Sequence, residues 1–193
     1  MNIPASLAQR QADLTQQLIV DSAVRLLESS SVAAVTVRAV AAAANLSERT
    51  VFRYFPTRDD LIDAVSLEVR KRLRTDVATP ATVEELVATP ALLYAGFEAE
   101  LRLARASLHT EISDRIRASV AKTRWVAVGK IIDKAAARRS ERDRRIAAAN
   151  IRFFLTATAW HYYRFVMNLP PDETVECAET AIRQSLASLG VRP

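Results

Sequence analysis

Glycine is nearly absent from this sequence, with Gly96, Gly129 and Gly190 the three in 193 residues. Hairpin turns and phosphate-cradling loops need backbone positions that glycine fills best. A hairpin-rich architecture and a glycine-lined nucleotide loop are therefore not expected, and an all-α fold is. Cys177 stands alone and cannot close an intrachain disulfide, while His109 and His161 lie too far apart for a zinc-binding spacing. Neither a metal nor a cofactor is implied. No run approaches the roughly 20 apolar residues that span a bilayer, and Met1 to Arg10 lacks the layout of a secretion signal. A reducing cytoplasm is expected, and no membrane. No nucleophile, paired carboxylate or histidine sits in a recognisable catalytic motif, which argues against an enzyme.

What the chain does have is apolar mass, with 50% hydrophobic residues, enough for a real core in one large or two small domains. The 27 basic residues exceed the 22 acidic ones and leave a net charge of +5. That balance permits a polyanionic partner without requiring one.

Helical periodicity starts early. Leu14, Leu18, Ile19, Ala23, Leu26 and Leu27 recur at spacings of three and four, which predicts an amphipathic helix over about residues 8–30. Thr36 can cap a short helix carrying Val37, Val40 and Ala41. Asn45 tolerates the left-handed turn that would follow, and Ser47 can cap the next helix, Glu48 to about Tyr54. After Phe55-Pro56, Thr57 can cap a longer helix with Leu61, Ile62, Val65, Leu67 and Val69 on its apolar side. Proline and threonine between Thr75 and Pro90 mark a boundary that encloses a short helix near Val83 to Ala88. The chain thus divides into a head, residues 1–76, and a body, residues 77–193. In the body, Thr89 and Pro90 look like the start of a helix to about Ala106. Further helices are expected over about 109–139, Asp143 to Asn168 and Asp172 to Ser188, with Gly190 closing the last.

The segment Thr36 to Phe55 carries the chemistry. Two short helices meeting at Asn45-Leu46-Ser47 fit a helix-turn-helix, whose second helix must be packed on one side and polar on the other to enter a groove about 12 Å wide. Val51, Phe55 and Phe52 can anchor it inward, leaving Glu48, Arg49, Thr50, Arg53 and Tyr54 facing elsewhere. Seven residues span about 10 Å, which suits entry end-on.

These residues resemble a known family. Ile19-Val20-Asp21-Ser22-Ala23, Thr36-Val37-Arg38-Ala39-Val40-Ala41 and Asn45 through Leu61 look like the DNA-binding domain of TetR-family transcriptional regulators, over about residues 17–64. The resemblance implies a three-helix helix-turn-helix head joined to a helical bundle that dimerises. It implies DNA contacts from Thr36, Arg38, Ser47, Arg49, Thr50, Phe52, Tyr54 and Arg58. Arg38 and Arg49 have the donors to read guanine, whereas Thr36, Thr50, Tyr54 and Arg58 suit phosphates. There are departures: Ser31 and Asn45 stand where the family usually has glycine, Arg58 replaces lysine, and Phe52 lacks the hydroxyl of the common tyrosine. The denser basic cluster, Lys134 to Arg145, is interleaved with acids and reads as a solvated corner.

The resemblance further implies a homodimer on a palindromic double-stranded operator and a small-molecule effector held by the body. The expected mechanism is a ligand-responsive repressor in which the helix after Thr57 links pocket to head. Aromatics in the second half fill a core or line such a pocket, and spacing leaves both open. Phe97, Leu101, Trp125, Asn150, Phe154, Trp160 and His161 are the pocket candidates, with Thr156 and Thr158 among the polar ones. Phe153, Trp160, Tyr163, Ala178, Ile182 and Leu186 are the dimer candidates, although the stripe on the last helix could finish the monomer core instead. The rival reading is a helical dimeric interaction module that has lost specific DNA binding.

Overall fold

The computed structural model describes residues 6–75 and 79–192. These form ten α-helices and no strand: α1 (Leu7–Ser29), α2 (Val37–Ala43), α3 (Glu48–Tyr54), α4 (Arg58–Arg72), α5 (Val83–Ala99), α6 (Leu101–Ser107), α7 (Glu111–Ala135), α8 (Glu141–Phe154), α9 (Ala157–His161) and α10 (Pro171–Ala187). A 3-10 turn, Val32–Ala34, follows α1, and a π-helical turn, Tyr162–Val166, follows α9. None of the described helices is long and apolar enough to cross a membrane. The expected boundary between residues 76 and 77 lies outside the described residues.

Side-chain caps set most helix starts in the head. Thr36 Oγ1 accepts from Ala39 N at 3.2 Å, and Ser47 Oγ accepts from Thr50 N at 3.1 Å. Thr57 and Asp60 form a reciprocal capping box at the start of α4. Each such cap is worth about 1 kcal/mol. Asn45 adopts the left-handed conformation, φ 55°, that the turn between α2 and α3 demands. The buried side chains Ile19, Ala23, Leu27, Val40, Val51, Phe55, Leu61 and Val65 knit α1–α4 together. Arg72 ties α4 back to α1 by pairing with Asp21, and bonds Glu68 at 3.0 Å on its own helix.

Three expected packing positions are corrected. Leu14 and Leu18 are exposed, because burial along α1 begins only at Ile19 and the preceding turns border an open groove beside Arg53 and Tyr54 of the head. Leu67 is exposed on α4, where Val65 and Val69 face the core.

The body departs from the expected helix boundaries twice. Val83–Ala99 is one helix with Pro90 inside it, capped by Thr82 rather than interrupted at Thr89. Pro90 has no N–H for the Leu86 carbonyl, and Thr89 turns its hydroxyl back to the Glu85 carbonyl at 2.7 Å instead of capping. The break comes later, at Glu100, and separates α6. The helix expected from Asp143 to Asn168 is divided at Leu155. Tyr94 Oη donates to the Phe154 carbonyl at 2.7 Å, occupying the acceptor that Thr158 N would use in a continuous helix. Thr156 then caps α9 by accepting from Ala159 N at 3.2 Å.

Helix α10 packs on α5 and α8, and α4 packs on α7. The buried side chains of head and body form one continuous cluster. Where α4 ends, Gly96 permits a close approach: a Cβ there would lie 2.2 Å from the Leu73 carbonyl oxygen.

Candidate nucleic-acid interface and inner cavity

In α3, Val51 and the following Phe55 are buried, while Glu48, Arg49, Phe52 and Arg53 are exposed. The exposed four share one helix face by their spacing. Thr50 and Tyr54 are half-buried at its edges. Ser47 Oγ lies 2.8 Å from Thr50 Oγ1, so these two hydroxyls hold the helix start together. The Arg53 guanidinium sits 5.1 Å over the Tyr54 ring, a cation–π contact that directs the arginine along the helix surface. Thr36 and Arg38 are exposed at the start of α2. Phe52, with 46% of its surface exposed, is not an inward anchor, because the buried side of so short a helix is filled by Val51 and Phe55.

Arg58 has a different occupation from the phosphate contact expected of it. Its Nη2 donates to Glu111 Oε1 at 2.6 Å and its Nη1 to Oε2 at 3.2 Å, with the Val32 carbonyl 3.4 Å from Nη2. Next to this pair, Arg115 bonds Asp59 at 2.7 Å and Asp63 at 2.5 Å. Hydrogen bonding from Arg58 holds the Glu111 carboxyl below its ordinary range, and Glu111 in turn raises Arg58. Further along, Arg124 donates to the Thr75 carbonyl. These contacts step forward along both helices, so α4 and α7 run in the same direction, bonded near both ends of α4.

Inside the body lies a cavity of about 100 Å³, bounded by the end of α4 (Leu73, Thr75), α5 (Leu93, Phe97), α6, α7 (Ile116, Val120, Arg124) and the α8–α9 turn (Arg152, Leu155, Thr156, Thr158). A smaller lobe of about 30 Å³ shares Leu93, Arg124, Arg152 and Leu155 with it. Of the seven pocket candidates, Phe97 lines this cavity. Trp125 and Asn150 are exposed and Leu101 is half-buried outside the lining. Trp160 is fully buried, its Nε1 donating to Glu98 Oε1 at 2.9 Å. Phe154 stacks on Tyr163 at 6.5 Å between ring centroids. His161 lies 6.2 Å from the His109 ring, and burial first, then the neighbouring His109 and Arg105, lower its pKa. These aromatics fill structure between helices rather than face the void. The cavity-lining Arg152 is a lone charge within the apolar run Ile151 to Leu155, the one local signal of it in the sequence.

Among the dimer candidates, Trp160, Ala178, Ile182 and Leu186 are 0% exposed in the single chain. Their stripe packs against α5 and α8 and completes the monomer core, the alternative that the spacing left open. Phe153 is exposed and Tyr163 half-buried.

A helix-turn-helix head on an all-α body defines a class, that of DNA-binding transcriptional regulators. Residues 19–65, the helix-turn-helix head, match the family described as bacterial regulatory proteins, tetR family. The multidrug binding protein EbrR, solved in complex with imidazole, superimposes with a TM-score of 0.53 at 23% identity, covering 88% of this chain and 88% of that one. The flavonoid-responsive regulator FrrA gives 0.59 at 18% identity, covering 94% of this chain and 98% of that one. No curated protein matches the sequence.

Proposed function

We propose that this protein is a ligand-responsive repressor that binds a two-fold-symmetric operator as a homodimer. The observation that carries the reading is the position of α4. Three residues separate it from the recognition helix α3, and Leu73 and Thr75, just past its far end, form part of the cavity wall. A molecule entering the cavity thus meets the helix that carries the head. The descriptions of EbrR as multidrug binding and of FrrA as flavonoid-responsive accord with a body that accepts small molecules.

In this reading Arg38 and Arg49 read base edges, and the exposed Phe52 ring meets a thymine methyl. Thr36, Arg53 and Tyr54 position the head on phosphates. An effector releases DNA only by preferring the arrangement of heads that does not fit the operator. The test is a fluorescence-anisotropy titration of the full chain against DNA flanking its own gene, at fixed salt, with and without effector. A footprint of two half-sites about one duplex turn apart is expected. Uniform affinity for all sequences would instead favour the interaction module.

A further inference from the structure

Among the described residues, the inner cavity holds a charge without a partner. Arg152 projects from the last turn of α8 to the junction of the two lobes, and its Nη1 is buried with no hydrogen-bond partner. No carboxylate among the described residues pairs with it, and neither lobe is lined by an aspartate or glutamate. Arg117 and Arg124 also line the cavity, but Arg117 is exposed and paired with Asp114 at 3.1 Å and Arg124 donates to the Thr75 carbonyl. Two other part-buried arginines are matched to carboxylates: Arg72 has Asp21 and Glu68, and Arg164 has Glu98. A guanidinium cannot escape desolvation by losing its proton at neutral pH, so an unpaired buried one is costly until an anion arrives. Burial alone already lowers the Arg152 pKa.

The rest of the cavity sets the shape of that anion. Leu93, Phe97, Leu108, Ile116 and Val120 make one side apolar. A water needs about 10–15 Å³ of such space, so a volume of about 100 Å³ suits a single ring with one acidic group. We propose that the effector is a small organic acid whose carboxylate sits on the Arg152 guanidinium while its apolar part lies against Phe97 and the leucine-rich wall. This deepens the ligand-responsive reading and rests on it for its regulatory consequence, but the binding site itself can be tested apart from DNA.

The experiment uses the full chain and probes of one shape and three charges, namely benzoate, benzamide and benzylammonium, with acetate as an acid lacking the ring. Binding is read by calorimetry and by Trp160 fluorescence, since Trp160 lies 5.2 Å from the cavity-lining Phe97. Benzoate is expected to bind saturably and to raise the melting temperature with concentration. Benzamide, benzylammonium and acetate should each bind roughly tenfold or more weakly, the scale of a charge-assisted bond or a buried ring. Arg152→Met should abolish the preference for benzoate while melting no lower than the unliganded parent. Arg152→Lys should recover part of it. Equal or tighter binding of benzamide or benzylammonium would overturn the proposal, as would benzoate affinity unchanged in Arg152→Met. If Arg152→Met fails to fold, the charge series on the parent protein still decides. Failure of benzoate and of ring-bearing acids of similar size to bind would also overturn it. An acid that binds through Arg152 yet leaves operator affinity unchanged would refute the ligand-responsive reading and leave the anion site standing.

Discussion

Arg58 and Glu111, the first residues of α4 and α7, face each other as a two-pronged ion pair with its shorter contact at 2.6 Å. The pair fastens the head to the cavity-bearing helix, because α7 supplies both Glu111 and the wall residues Ile116 and Val120.

Glu111→Gln tests that fastening. The side chains are 41% and 36% exposed, so the pair contributes about 0–1 kcal/mol after solvent screening. The folded Glu111 pKa is depressed, so its contribution is fully present above the unfolded value of about 4.3 and is lost as pH falls through the folded value. Urea unfolding at neutral pH should show a small deficit for Glu111→Gln, and parent and variant should converge as the pH falls well below 4.3. A deficit unchanged in acid would place its origin elsewhere.

On DNA, Arg58→Ala and Arg53→Ala should separate. Arg58 already serves Glu111, whereas Arg53 is exposed on α3. Losing one phosphate contact flattens the salt dependence by about 0.9 in logarithmic slope. Arg53→Ala is expected to show that change and Arg58→Ala is not. Arg49→Ala should cost about 1–3 kcal/mol on the preferred operator and relax base preference at one position. An Arg58→Ala slope matching that of Arg53→Ala would restore the phosphate role.

The two body glycines in helices should respond oppositely to alanine. At Gly96 the new methyl would stand 2.2 Å from the Leu73 carbonyl oxygen, a backbone atom that cannot swing aside. Overpacking of this kind costs about 1–3 kcal/mol. At Gly129, inside α7, a Cβ meets nothing within 4 Å, and removing the helix-interior glycine should stabilise by about 0.5–1 kcal/mol. Denaturant midpoints compare the two directly.

Local chemistry explains what the sequence made legible. The caps at Thr36, Ser47 and Thr57 and the left-handed Asn45 act within three or four residues, so the head's elements could be read from the chain. The body's breaks depend on distant partners. Tyr94, sixty residues away, intercepts the Phe154 carbonyl and ends α8, a signal no local window contains. Pro90 has the propensity to begin a helix, but α5 already has its cap at Thr82 and runs through it. The apolar stripe on α10 carried no mark of whether its cover came from this chain or a second copy, and α5 and α8 supply it. The phosphate role of Arg58 is what the family resemblance implies, and its partner Glu111, fifty-three residues distant, lies outside any local window.

With the α10 stripe buried, the surface proposed for dimerisation moves to α8. Ile146 and Phe153 are 45% and 51% exposed, and seven residues apart they share a helix face with Ala149, also exposed, between them. An isologous contact around this stripe would place the two heads about a two-fold axis. Phe153→Glu and Ile146→Glu should therefore shift the protein toward monomer in sedimentation, and weaken operator binding by about tenfold or more through loss of the second half-site, while thermal unfolding of the single chain changes little. Ile182→Ala should behave in the opposite manner, because Ile182 is wholly buried in the monomer. It should lose about 2–5 kcal/mol of stability with the association constant of the remaining folded protein unchanged. Dimers that survive both α8 substitutions but dissociate in Ile182→Ala would return the interface to α10.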